Sequence, residues 1–124
     1  MERLEQQTIT ITTSGTDGSA TGTGRFTAFA GFLLDVYLAP SGAQANTTDV
    51  TIAHVSPSLG DVLVVSNLAT AGLYPVRTQA VNPSGAAITG VYDRPVVSGV
   101  LSVSIAQADD TESVAVTIRY LDVS

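Results

Sequence analysis

The side chains with the most reactive chemistry in this sequence are a single histidine and several carboxylates. His54 lies in DVTIAHV, residues 49–55, which reads as a strand. A catalytic histidine works with a nucleophile and an orienting carboxylate, and the spacing of the sequence identifies neither partner. His54 is therefore interpreted as a structural or surface residue, and the chain is predicted not to be an enzyme.

The carboxylates are densest at Asp109, Asp110 and Glu112, and Asp17 lies in the turn sequence SGTDGS. Oxygen ligands of this kind suit calcium, but their spacing matches no EF-hand loop. We interpret the cluster as a solvated acidic turn and predict no metal or other cofactor. Any two of the 11 acidic residues could be proposed as a glycosidase pair, so none is assigned.

Asp35 is the most unusual charged residue, because it lies inside the apolar run GRFTAFAGFLLDVYLAP, residues 24–40. Two interpretations stay open at this point. Asp35 either forms an ion pair with an arginine across a subunit interface, or it lies on a part of the strand that faces solvent.

The same run is predicted to be the element on which the rest of the chain packs, as a central strand pair or one bent strand. Every second residue is apolar, which is the pattern of a strand with one buried face. These residues are Phe26, Ala28, Ala30, Phe32, Leu34, Val36 and Leu38. At about 3.3 Å per residue the run is too long for an ordinary strand, so we expect a bulge or corner near Gly31.

Shorter strands are predicted on both sides of this run, and no segment combines helical periodicity with caps. They are residues 8–13, 49–55, 61–66, 73–81, 91–95, 97–106 and 114–121. The pair 49–55 and 61–66 is predicted to form a hairpin, with 61–66 buried on both faces. Pro75 indicates an edge strand or a bulged strand. The last two strands are predicted to form a C-terminal hairpin.

The predicted fold class is therefore all-β, a single-domain antiparallel β-sandwich or flattened barrel of about 7–9 strands. Residues 1–13 are expected to form an N-terminal arm and the first strand. Residues 8–124 are expected to form the β-sandwich domain. A chain of 124 residues has the usual size of one domain.

The composition argues against several classes of function. The net charge is −6 and there is no lysine, so we predict no direct binding of nucleic acid. The first residues are charged where a secretory signal is apolar, and no apolar run has the length of a membrane-spanning helix. We therefore expect no membrane partner and a cytoplasmic place of synthesis. Charged residues make up only 13% of the chain, which suggests that other subunits cover part of its surface.

Three parts of the sequence stand in a familiar order along most of the chain. They are the stretch from Gly24 to Leu38, Asn67 with the tetrapeptide Tyr74-Pro75-Val76-Arg77, and the terminal Ile118-Arg119-Tyr120. In this pattern the chain resembles small auxiliary virion proteins of tailed bacteriophages, of the capsid decoration or cement type.

The resemblance implies a structural protein, without catalysis, that binds the outer surface of a phage capsid and stabilises it, commonly as a trimer. The implied partners are the major capsid protein and further copies of the chain. The implied location is the capsid surface of the virion, after assembly in the host cytoplasm.

Seven residues are the candidate interface residues: Leu4, Ile9, Ile11, Asp35, Tyr37, Tyr74 and Arg77. The segment 1–13 is expected to reach a neighbouring chain and add a strand to an exposed edge. The alternative function is a phage tail, fibre or adhesin-type module that recognises a cell-surface glycan through loops 41–48 and 82–90. The lack of tryptophan makes this alternative weaker.

Overall fold

The chain folds as an antiparallel β-sandwich in a computed structural model that describes residues 2–41 and 47–124. Those residues contain eleven strands: β1 (Arg3–Thr12), β2 (Ala20–Arg25), β3 (Phe29–Pro40), β4 (Asp49–His54), β5 (Asp61–Val65), β6 (Gly72–Pro75), β7 (Thr78–Val81), β8 (Ala87–Asp93), β9 (Val96–Gly99), β10 (Leu101–Ala108) and β11 (Ser113–Asp122). The helical structure in this part of the chain is one 3-10 turn, Pro57–Leu59. None of its helices has the length and apolar character needed to cross a membrane. The predicted all-β class is confirmed.

Two sheets form the sandwich. Sheet I has the strand order β1-β11-β3-β6, with β9 on the same edge of β3 as β6. Sheet II has the order β2-β10-β4-β5. The remaining two strands, β7 and β8, pair only with each other among the described residues, and we call this ribbon the arm.

The core lies between the inner faces of the two sheets. Leu101, Val103 and Ile105 of β10 alternate with more exposed residues, as do Val114, Val116 and Ile118 of β11, and all six are almost fully buried. Burying each such side chain contributes about 1.5–3 kcal/mol. The ring of Phe29 stacks on that of Tyr120 with centroids 3.9 Å apart.

The predicted C-terminal hairpin is wrong. β10 pairs with β2 and β4, whereas β11 pairs with β1 and β3, so the turn at 109–112 carries the chain from sheet II to sheet I. The matched apolar faces of β10 and β11 therefore meet across the core. Alternation along a strand records which face is buried and does not record the partner strand. The other predicted hairpin is confirmed, since β4 and β5 are antiparallel neighbours.

Three runs that read as single strands are divided where the chain changes sheet or leaves the sandwich. Residues 26–28 separate β2 of sheet II from β3 of sheet I, so the predicted central pair is wrong. Val100 separates β9 of sheet I from β10 of sheet II. Residues 76–77 separate β6 from the arm. These divisions explain why the strands outnumber the seven to nine expected from the sequence.

Two expectations about strand surroundings are also corrected. Residues 3–7 are not a separate arm, because they belong to β1 and pair with residues 118–122 of the same chain. β5 is not buried on both faces, because it forms the edge of sheet II and its Val64 is exposed. The edge position predicted for the segment with Pro75 is confirmed for β6.

The bulge of β3 lies at Leu34, three residues beyond the position predicted from glycine. Arg119 of β11 is opposite Asp35 and Tyr120 is opposite Leu33, which leaves Leu34 as the additional residue. An extra residue shifts the alternation of faces by one position.

This shift overturns half of the predicted buried face. Before the bulge the buried residues have odd numbers: Phe29, Gly31 and Leu33. After the bulge they include the even-numbered Val36 and Leu38, as predicted. Phe32, expected in the core, is only partly buried.

Gly31 instead permits close contact between β3 and β11. A Cβ atom built at this position would lie 1.9 Å from the carbonyl oxygen of Leu121. No side chain fits there unless the backbone of β11 moves.

We expect Gly31→Ala to lower the free energy of unfolding by about 3 kcal/mol, because the methyl group overpacks the contact with β11. Urea unfolding measures the change. Gly18→Ala is the control: its added Cβ meets no atom within 4 Å, and its positive φ costs only about 1 kcal/mol. Equal losses in the two variants would contradict the close approach at Gly31.

Candidate interaction surface

The outer face of sheet I, on the side away from the core, carries four exposed large apolar side chains. They are Leu4, Tyr37, Leu73 and Val96, each on a different strand. The pairing of β1, β11, β3, β6 and β9 fixes which of them are neighbours.

One line of residues across this face is entirely apolar. Leu4 is opposite Leu121, Leu121 is opposite Phe32, and Phe32 is opposite Val96. Directly opposed residues on one face have Cβ atoms about 5 Å apart, so the four side chains form a continuous strip, which we call the apolar row. Leu4 and Val96 at its ends are 64% and 63% exposed.

A second line runs parallel to the apolar row and mixes hydroxyl with apolar groups. Thr8 is opposite Thr117, Thr117 is opposite Tyr37, and Tyr37 is opposite Leu73. The two threonine hydroxyls are hydrogen-bonded at 2.8 Å. Tyr37 and Leu73 are 43% and 53% exposed. The face therefore offers a phenol and two hydroxyl groups beside an apolar strip.

An ion pair lies between the two lines. Nε of Arg119 donates to Oδ1 of Asp35 at 2.8 Å, and Nη2 donates to Oδ2, which is the bidentate geometry that strengthens such pairs. Asp35 is only 8% exposed. Both interpretations of Asp35 are thus corrected: its arginine partner is in the same chain, and the residue does not face open solvent.

The hydrogen bond to Asp35 and the attraction between the charges raise the pKa of Arg119 above its ordinary value. A pKa raised by folding contributes stability that is lost only when the pH rises through the raised value, so Arg119 stays charged at neutral pH.

At the end of β11, hydrogen bonds from Ser124 lower the pKa of Asp122. That contribution has the opposite sign: it is present at neutral pH and is lost as the pH falls into the acid range.

Arg77 completes the other edge of β3 at the bulge. Its Nη1 donates to the carbonyl oxygen of Leu34 at 3.0 Å and to that of Val76 at 2.6 Å. Next to it, the N–H of Leu33 donates to the carbonyl of Pro95 at 3.0 Å. β6 and β9 therefore act as one edge strand that the arm interrupts opposite the bulge.

The seven candidate interface residues separate into two groups. Leu4, Asp35 and Tyr37 lie on the outer face of sheet I, and Arg77 lies at its edge. The other three belong to the inside: Ile11 is 4% exposed, and the partly buried Ile9 and Tyr74 pack against the core. The chain's own core covers much of the surface of these three residues, and an interface role for them stays a prediction.

The sequence reasoning missed the other members of the apolar row. Phe32 was assigned to the core because alternation was counted without the bulge. Leu121 and Val96 could be identified only through their partners, which lie far away in the sequence. No local pattern contains that information.

The acidic turn at residues 109–112 is hydrogen-bonded to the loop at residues 14–19. Oδ1 of Asp110 accepts the N–H of Gly15, and Oδ1 of Asp109 accepts that of Gly18. In return, Oδ1 of Asp17 accepts the N–H of Asp110. These carboxylates hold residues 14–19 against residues 108–112. The acidic turn is therefore a hydrogen-bonded contact between two loops, and not only the solvated turn that was predicted. Across residues 2–41 and 47–124, no three His, Asp or Glu side chains are placed to hold a metal ion.

A cleft of about 400 Å³ lies at the base of the arm. Its polar lining includes His54, Asp61, Asp93 and Arg94. His54 is thus a partly exposed residue at the end of β4, and it reaches this cleft from the side of sheet II.

No protein-family model matches this chain, and no curated protein matches it. The described residues present two surfaces suited to contact, the outer face of sheet I and the arm with its cleft. The first has the composition of a contact face, with apolar residues beside polar groups that already have partners.

We expect Arg119→Met to lower the unfolding midpoint by several times the change caused by Arg3→Met. The first variant leaves the nearly buried carboxylate of Asp35 without its partner. The second removes the exposed 3.6 Å pair between Arg3 and Glu5, for which we expect a shift of less than about 2 °C. Thermal unfolding at neutral pH compares them, and equal shifts would show that the Asp35 pair is no more important than a surface pair.

Proposed function

We propose that this protein is a non-enzymatic structural protein of a virus particle, which binds the outer surface of a phage capsid and stabilises it. The observation that carries the proposal is the apolar row, which leaves Leu4 and Val96 mostly exposed on the outer face of sheet I. Contiguous exposed apolar surface is typical of a site for protein contact. The resemblance in sequence supports the capsid as the surface that is bound.

The apolar row supplies the attraction in this proposal. Covering it removes apolar surface from water, at about 25 cal/mol for each Å². Thr8, Thr117 and the phenol of Tyr37 lie beyond the ion pair on the same face and supply polar groups for the margin of the contact. The chain needs no reacting group for this role.

The ion pair between the two lines suits a face that becomes covered. Removing a charge from water is expensive unless the charge is already paired. Arg119 and Asp35 satisfy each other within the chain, so a partner can cover them without providing a counter-charge. This arrangement favours a partner that covers a broad area of the face. It does not favour a partner that inserts single residues into it.

Many copies would act together on one particle. Each contact is modest, but a shell lattice offers many equivalent sites, and linked contacts hold more firmly than single ones. Binding across neighbouring shell subunits would resist their separation. The proposed partners are the major capsid protein and other copies of this chain, with a trimer as the proposed assembly.

The cleft favours a second candidate function, recognition of a cell-surface glycan by a phage tail or adhesin-type module. His54, Asp61, Asp93 and Arg94 can all hydrogen-bond to sugar hydroxyls. Of the loops considered for this role, 82–90 forms the turn of the arm and the start of β8. Most of loop 41–48 lies outside the described residues. Glycan-array binding that Arg94→Ala removes would support this candidate.

The capsid proposal predicts that the double variant Leu4→Asn/Leu73→Asn, with both changes at exposed residues of the outer face of sheet I and outside the cleft, binds capsids at least about tenfold more weakly, which corresponds to a loss of about 1.4 kcal/mol. The measurement is co-sedimentation with purified, DNA-filled capsids of the phage that carries the gene, after removal of the resident protein. Val64→Asn is the matched control, since Val64 is 57% exposed but belongs to sheet II.

The control should bind like the unchanged protein. Unchanged binding of the double variant, or no sedimentation of the unchanged protein, would contradict the proposal. Detection of the chain in tails but not in capsids would favour the glycan-binding candidate.

A further inference from the structure

The arm projects from the sandwich and has no core of its own. Every residue of β8 is exposed, and in β7 only Ala80 is partly buried. Its exposed large apolar side chains are Val81, Ile88, Val91 and Tyr92. A lone two-stranded ribbon is marginally stable in water, so the arm would gain stability from a surface that covers it.

The arm is also uncharged except at its last residue, Asp93. Residues 78–92 contain no Asp, Glu, Lys or Arg, in a chain whose net charge is −6. An uncharged segment can approach another acidic chain without the repulsion that opposes contact between like-charged surfaces.

The arm is poorly suited to adding a strand to another sheet. Gln79 pairs with Tyr92 and Val81 pairs with Ala87. A step of two residues along β7 is therefore matched by a step of five residues along β8, which must bulge. Gly90 in the bulged part has a φ of 82°. Bulges of this kind prevent edge-to-edge pairing. Contacts of the arm are therefore made by its side chains.

The cleft at the base of the arm is a concave surface on the same chain. Besides its polar groups it is lined by the apolar Leu59, Pro95 and Val96. Its volume of about 400 Å³ lies within the range of pockets that hold small ligands. Leu59 is 58% exposed, so the apolar part of the cleft is open.

The accessible surface of the chain is larger than a compact monomer needs. It amounts to 6772 Å², against roughly 6,200 Å² for a monomer of this mass. The excess of roughly 500 Å² is below the share of about 800 Å² that each partner contributes to a standard interface and corresponds to the size of weak, transient contacts.

We infer that the arm binds a second copy of this chain, with Val81 and Ile88 near its tip seated in the cleft of that copy. Half of the twelve exposed large apolar side chains among the described residues belong to these two surfaces: Leu59, Val81, Ile88, Val91, Tyr92 and Val96. The base of the arm itself lines part of the cleft, at residues 78–80 and 93, whereas Val81 and Ile88 near the tip are not part of that lining. Because the tip and the cleft are different surfaces, copies join head to tail and can close into a ring. The inference deepens the proposed function by naming the surfaces that join copies of the chain, and it rests on that proposal for the assembly of copies. Its tests use no capsid, so its failure is distinguishable from a failure of capsid binding.

Sedimentation of the full chain over a range of concentrations tests whether copies associate through the arm. We expect the unchanged protein to associate, and Val81→Asn/Ile88→Asn to raise the dissociation constant at least tenfold. Leu4→Asn on the outer face of sheet I should associate like the unchanged protein. Far-ultraviolet circular dichroism confirms that each variant keeps its strand content. A strict monomer up to about 1 mM, where even weak contacts form, would overturn the inference.

A disulfide test locates the contact, because the chain has no cysteine of its own. Val81→Cys and Leu59→Cys are prepared as separate proteins and mixed under mild oxidation. We expect the mixed dimer to form much faster than from the control mixture of Leu4→Cys with Leu59→Cys. Equal rates in the two mixtures would overturn the assignment of the arm to the cleft, even if the protein associates.

Discussion

The additional residue at Leu34 is the constraint on which the rest of the structure depends. It changes which side chains of β3 point inward, so that Leu33 before it and Val36 after it are both in the core. It places Asp35 opposite Arg119. On the other edge it leaves the carbonyl of Leu34, which accepts a hydrogen bond from Nη1 of Arg77, at the point where the chain departs into the arm. One bulge therefore links the core, the ion pair and the arm.

The bulge also determines the character of the outer face. Phe32 is moved out of the core and into line with Leu121 and Val96, and the apolar row results. An unbulged β3 would place Phe32 inside and would leave Leu33 outside. The apolar row is thus a consequence of how β3 fits its two neighbours, and the buried charge of Asp35 next to it is paired within the chain.

The sequence was sufficient for the class of fold and for the position of most strands, because alternation of apolar residues records burial directly. It was insufficient for partners. β10 and β11 show the same alternation whether they lie side by side or face each other across the core. The partner of Asp35 is 84 residues away, and nothing local indicates it. Three of the seven candidate interface residues, Ile9, Ile11 and Tyr74, show the same limit: the sequence identifies them as apolar, but not that the face they occupy is the one next to the core.

The most direct test of this account is the set of nuclear Overhauser contacts made by Phe32 and Leu33. The bulged β3 predicts contacts from the ring of Phe32 to the methyl groups of Leu121 and Val96, and from the methyl groups of Leu33 to the ring of Tyr120. Contacts from Phe32 to Val103 or Ile52 in sheet II would place it in the core. That result would contradict the bulge at Leu34 and, with it, the apolar row.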